Sequence, residues 1–124
     1  MEIQWFNEKP KDCVVTIAAG NITLNKPATH FFENAYSVML GIEKSHQLLI
    51  IKPLLKAEAI RHDIPDSNKY RISVRSSYSR IANKAFIEEV STFLDQTFEN
   101  SSKRFKATWQ HKDQILVVDL KEEL

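Results

Sequence analysis

Residues 13–19 form a short β-branched run that reads as a strand, and Gly20-Asn21 turns or kinks the chain before Ile22-Thr23-Leu24 resumes an extended course. Asn25 is placed as a helix N-cap, and Pro27 fits a first helical turn, where its missing N–H costs little. A short helix is therefore predicted over residues 27–34, burying Ala28, Phe31 and Phe32. Residues 36–42 return to strand character, and Leu48, Leu49, Ile50 and Ile51 stand in succession within a second strand over 47–52. Two strands across a four-residue polar break, Glu43-Lys44-Ser45-His46, read as a hairpin.

Residues 53–68 have no clear period. A short helix over 54–61 is expected, followed by the turn formers of 62–68, and the connection between two halves is placed here. The second half opens on cleaner alternation: Tyr70, Ile72 and Val74 point one way, Arg71, Ser73 and Arg75 the other, giving a half-buried strand with a basic outer face. After a turn at 76–79, residues 80–82 are again extended and Asn83 is again an N-cap. Phe86, Val90, Phe93 and Leu94 fall at i, i+4, i+7 and i+8, which predicts a helix over 84–98 with Glu88 and Glu89 on its solvent side. Phe105, Ala107 and Trp109 alternate with Lys106 and Thr108 in a strand, residues 110–113 turn, and 114–120 form the last strand.

The two halves share an order. A displacement of 58 sets Ile22-Thr23-Leu24-Asn25-Lys26 against Arg80-Ile81-Ala82-Asn83-Lys84 and residues 14–17 against 72–75, while Gln47-Leu48-Leu49-Ile50-Ile51 matches Gln114-Ile115-Leu116-Val117-Val118. A small strand–helix–hairpin unit leaves one apolar face uncovered, and a tandem copy closes it. The fold expected is α+β: two related strand–helix–hairpin units packed into one small domain, antiparallel strands dominant. Residues 1–52 make the first unit with an N-terminal extension, 53–68 the connector and 69–124 the second unit. Such a tandem resembles the AbrB and MraZ type of swapped-hairpin domain, in which AbrB-like chains carry one unit and dimerise and MraZ-like chains carry two. Gly20-Asn21-Ile22-Thr23-Leu24-Asn25-Lys26 looks like that family's short strand leading into a helix. The resemblance implies DNA binding and transcription regulation. The sequence departs from the MraZ pattern of Asp, three residues, then Arg: the first half has no Arg there, and the second has Ser76 and Arg80 without the Asp.

Charge then changes the picture. The 124 residues carry 17 Lys and Arg against 16 Asp and Glu, a net +1 that by itself points to no charged partner. The charge is segregated, however. Residues 1–43 hold three basic and five acidic side chains, residues 44–84 nine and three, and residues 85–124 five and eight. The central surplus suggests contact with a polyanion through Arg71, Arg75, Arg80 and Lys84. The competing reading is a solvated strand face whose charges discourage stray edge pairing. Tyr78 could stack on bases, whereas Tyr70 is in phase with the core side.

Candidate chemistry is sparse. Two glycines, Gly20 and Gly41, exclude the Gly-rich phosphate loop and the dinucleotide fingerprint. Cys13 has no partner cysteine and falls in a strand-like run, where an inert thiol in a reducing compartment is expected. His30, His46, His62 and His111 show no metal-ligand spacing, although His46 and His111 would be equivalent turn residues of the repeat. His62-Asp63 lies in a loop, and no serine sits in a nucleophile elbow. No apolar run approaches the roughly 18–20 residues of a membrane span, and the start lacks a secretory pattern. Trp109 is in phase with the core. Trp5 and Phe6, outside the repeat, either cap the core or contact a partner. The expectation is a small cytoplasmic, non-enzymatic binding protein without metal, cofactor or small-molecule ligand, contacting DNA through Arg71, Arg75, Arg80 and Lys84 and forming homo-oligomers. The alternative is an assembly module that binds proteins through Trp5 and Phe6.

Overall fold

Alternation in the β-branched runs becomes an alternation of burial. In β1 (Cys13–Ile17) and β2 (Asn21–Leu24), Val15, Ile17, Ile22 and Leu24 are fully buried, and the residues between them face outward. The computed structural model describes residues 1–6, 12–61 and 63–124. Its mostly antiparallel strands form one curled eight-stranded sheet accompanied by three α-helices, an α+β architecture. The remaining strands are β3 (Ser37–Glu43), β4 (Leu48–Leu54), β5 (Ser73–Val74), β6 (Ser79–Ala82), β7 (Lys103–Gln110) and β8 (Ile115–Glu123). Their spatial order is β3-β4-β8-β7-β1-β2-β6-β5. The curl brings the two edges together: just before β5, Tyr70 exchanges both backbone hydrogen bonds with Val38 of β3, at 2.8 and 2.9 Å.

Both predicted caps form. Asn25 accepts from the Ala28 amide at 3.2 Å and starts α1 (Lys26–His30), and Asn83 accepts from the Phe86 amide at 3.0 Å and starts α3 (Lys84–Leu94). Both helices stop short of the predicted ends. After α1 the chain tightens into i→i−3 bonds, Phe31 to Ala28 and Phe32 to Thr29, which still deliver Phe32 to the core. α3 stops where Asp95 turns left-handed (φ 53°) and the Asp95 and Gln96 amides bond back to the Thr92 and Ser91 carbonyls. The apolar spacing runs on to Phe98, which is buried although it lies outside the helix. In the connector, β4 runs through Leu54, α2 spans Lys56–Ala59, and a 3-10 turn covers Asp66–Asn68.

The core lies inside the curl. Phe105, Leu116, Val118, Leu49, Ile51 and Ile81 point in from the strands, Ala28 enters from α1, Phe32 from the turn after it, and Ile87 and Val90 from α3. Each fully buried Leu, Ile or Phe side chain contributes roughly 1.5–3 kcal/mol. The outer surface of the sheet is left to solvent and to whatever binds there.

Candidate functional site

The outer faces of β5 and β6 bring three of the four predicted basic residues together. Residues in register across antiparallel strands share a face, so the pairings locate each side chain. Ser73 stands opposite Arg80, and Val74 opposite Ser79. Ser79 and Ile81 are buried, so Arg80 faces outward with Ser73. Arg71 and Arg75, two residues either side of Ser73, are exposed, and the Arg75 amide bonds to the Tyr78 carbonyl at 2.8 Å. The Arg80 guanidinium lies 5.5 Å from the centre of the Tyr78 ring, which holds the tyrosine among the arginines. Tyr70, Ile72 and Val74 are half-buried, and Tyr70 and Ile72 pack against the core. Among the described residues, none of the three arginines forms an ion pair.

Lys84 is placed elsewhere. It opens α3 and lines a cavity of about 340 Å³ with Ala19, Glu88 and Glu99. Two other cations of residues 44–84 have their ammonium groups bonded within the fold. The Lys69 side chain is 10% exposed, and its ammonium donates to the Ala59 and Arg61 carbonyls and to Asp66. Lys52 donates to the Asp113 carbonyl at 2.9 Å, and Lys44 lines a cavity with Glu88 and Glu89. The basic segment is therefore divided by folding.

The same outer face gains cations from outside that segment. Arg80 is also opposite Thr23, Thr23 opposite Thr16, and Thr16 opposite Arg104 of β7, so Ser73, Arg80, Thr23, Thr16 and Arg104 lie in one row across five strands. Lys106, two residues on, faces outward opposite Val14. Charge counted along the chain hides Arg104 and Lys106, because they fall in its acidic last third. The signal available in the sequence is that they alternate with Phe105 and Ala107, whose burial turns them outward.

Trp5 and Phe6 are 79% and 89% exposed and do not cap the core. Trp109 packs on it, stacked on Phe31 with ring centroids 4.6 Å apart and edge-on to Phe32 and His111. His62 lies outside the described residues. One Ser, His and Glu cluster occurs in the β3–β4 turn: the Glu43 carboxylate accepts from the Ser45 hydroxyl, the His46 amide and His46 Nδ1. These bonds, the Ser45 one foremost, hold the Glu43 carboxyl down to about 2. A catalytic relay needs the imidazole to meet nucleophile and carboxylate through different nitrogens. Here Ser45 and Glu43 both meet Nδ1, and Ser45 also bonds Glu43 directly, so the cluster locks an exposed turn. Burial, then the Asp12 charge, pushes the Cys13 thiol up, disfavouring the nucleophilic thiolate. Among the described residues, no group of three His, Cys, Asp or Glu side chains is placed to hold a metal ion, and no helix is long and apolar enough to cross a membrane. Comparison of the chain with protein-family models, curated sequences and solved structures finds no match.

Proposed function

We propose that the chain is a non-enzymatic binding protein that contacts duplex DNA, as a transcription regulator does, through the outer sheet face carrying Arg71, Arg75 and Arg80. The observation that carries this reading is the convergence of the three arginines, two flanking β5 and one on β6, exposed and unpaired among the described residues. Guanidinium groups so presented match phosphate oxygens in geometry and charge. Lys84 is left out of the contact.

On this reading the chain consists of two related units of the AbrB and MraZ swapped-hairpin kind. The pairing scheme supports it. β1 pairs with β2 as β5 with β6, β3 with β4 as β7 with β8, and β1 with β7 as Tyr70, three residues before β5, bridges to β3. The remaining ladders, β2 with β6 and β4 with β8, join like to like. The hairpins correspond at a displacement of 67, with Gln47 and Gln114 both left-handed at φ 54°. Two details of the sequence alignment change. A displacement of 58 suits the caps but sets buried Val15, Ile17, Ile22 and Leu24 on exposed Ser73, Arg75, Arg80 and Ala82; one residue less sets them on inward Ile72, Val74, Ser79 and Ile81. At 67, His46 corresponds to Asp113 and not to His111.

The test is anisotropy of a labelled duplex titrated at several salt concentrations. Binding that weakens steeply between about 50 and 200 mM salt, and weakens further in the Arg71→Ala/Arg75→Ala variant, is expected. No detectable affinity at low salt overturns the reading. A second reading, assembly through the N-terminal arm, is favoured by the exposure of Trp5 and Phe6 together with Ile3 at 57%. It requires an oligomer whose mass in solution falls when Trp5 and Phe6 are replaced by Ala.

A further inference from the structure

Five contiguous strands, β5, β6, β2, β1 and β7, contain no Asp or Glu, whereas β3, β4 and β8 between them carry Glu43, Asp119, Glu122 and Glu123. On the outer side of those five strands and of the residues flanking β5 stand Arg71, Arg75, Arg80, Arg104 and Lys106. Arg80 and Arg104 occupy the same row, three strand spacings apart, or about 14 Å. Thr23 and Thr16 fill the interval and offer hydroxyls, which are uncharged hydrogen-bond donors, with no anion between the two guanidinium groups.

We infer that the DNA contact does not end at β6 but crosses the sheet to β7, where Arg104 and Lys106 take further phosphates of the same duplex. This inference rests on the DNA-binding reading. A track of cations at this spacing, with hydroxyls between them, grips the phosphodiester backbone. It reads no base, so its contribution is independent of sequence. The charge for it comes from two distant parts of the chain, joined by the ladder between β1 and β7. Each phosphate neutralised adds about 0.9 to the slope of log affinity against log salt on duplex DNA.

The experiment is a salt titration of a random-sequence duplex with the full chain and its variants. Arg104→Ala is expected to flatten the slope by about 0.9 and Arg104→Ala/Lys106→Ala by about 1.8, equally on unrelated sequences. Lys112→Ala, in the turn after β7, is expected to leave the slope unchanged. Because Arg104 and Lys106 are exposed, a thermal midpoint equal to that of the parent shows that folding is intact. If the parent binds and Arg71→Ala/Arg75→Ala weakens it while Arg104→Ala/Lys106→Ala keeps both affinity and slope, the extension to β7 is wrong and the β5–β6 contact stands. If the parent does not bind at low salt, the DNA reading itself fails and the extension goes with it.

Discussion

Asn25 and Asn83 look alike in the sequence, each preceding a Lys and a short helix, and they do unequal work. Asn83 caps α3 by accepting one amide bond, from Phe86. The Asn25 side-chain oxygen accepts from Ala28 and also from Val14, and its amide donates to the Asp12 carbonyl, so it ties α1 to the start of β1. Asn83→Ala is expected to lower stability by about 1 kcal/mol and Asn25→Ala by about 2 kcal/mol, since the second leaves the half-buried Val14 amide without its acceptor. Urea denaturation of the two variants decides the matter; equal losses would show that the Val14 bond contributes nothing. The capping role is legible from residue type and position. The bond to Val14, eleven residues back, needs the folded chain. The basic residues divide in the same way. Arg71, Arg75 and Arg80 are readable as outward by alternation, whereas Lys69, equally basic on paper, turns its ammonium onto backbone carbonyls.

Among the elements, strands were legible and helix ends were not. Alternation locates β7, because period two records which side is buried, whereas the alternating run of residues 70–75 pairs as a strand only at Ser73–Val74. α3 reads too long, because Phe98 keeps the helical spacing and the left-handed Asp95 carries no Gly or Pro to mark the stop. The two hairpin turns show a cost hidden in ordinary residue types. Gln47 and Gln114 both sit at φ 54°, where a side chain is strained and glycine is not. Gln47→Gly is expected to raise stability by about 0.5 kcal/mol, relief of strain exceeding the added entropy loss of glycine. Gln114→Gly is expected to yield less, because the Gln114 side chain donates to the His111 carbonyl at 2.7 Å and that bond is lost. Thermal midpoints rank the two, and a larger rise for Gln114→Gly would contradict this account of the turns.

At the scale of the whole molecule, the halves are joined by buried contacts as well as by the sheet. The Thr29 hydroxyl of α1 lies 2.9 Å from the Ser79 hydroxyl of β6 and 3.2 Å from the Leu24 carbonyl, all of it buried. Thr29→Val strands the Ser79 hydroxyl in the core and is expected to cost about 1–3 kcal/mol. Ser79→Ala should cost less, because Thr29 keeps Leu24 as a partner. The double variant should cost less than the two singles together. Chemical denaturation of the four proteins measures the coupling, and additive losses would show that the two hydroxyls do not act as a pair.

By itself the sequence determined the order of strands and helices, both caps and the outward phase of Arg71 and Arg75, since these depend on residues a few positions apart. The two hairpins that it places carry Gln47 and Gln114 at like positions, both at φ 54°. Only the tertiary structure decided which outward residues become neighbours, because that depends on strand order and register, and a shift of one residue exchanges the faces. Chain segments therefore misled where faces did not: the central basic stretch has the ammonium groups of Lys69 and Lys52 bonded to backbone carbonyls, and the surface built around Arg80 gains Arg104 and Lys106 from the acidic end.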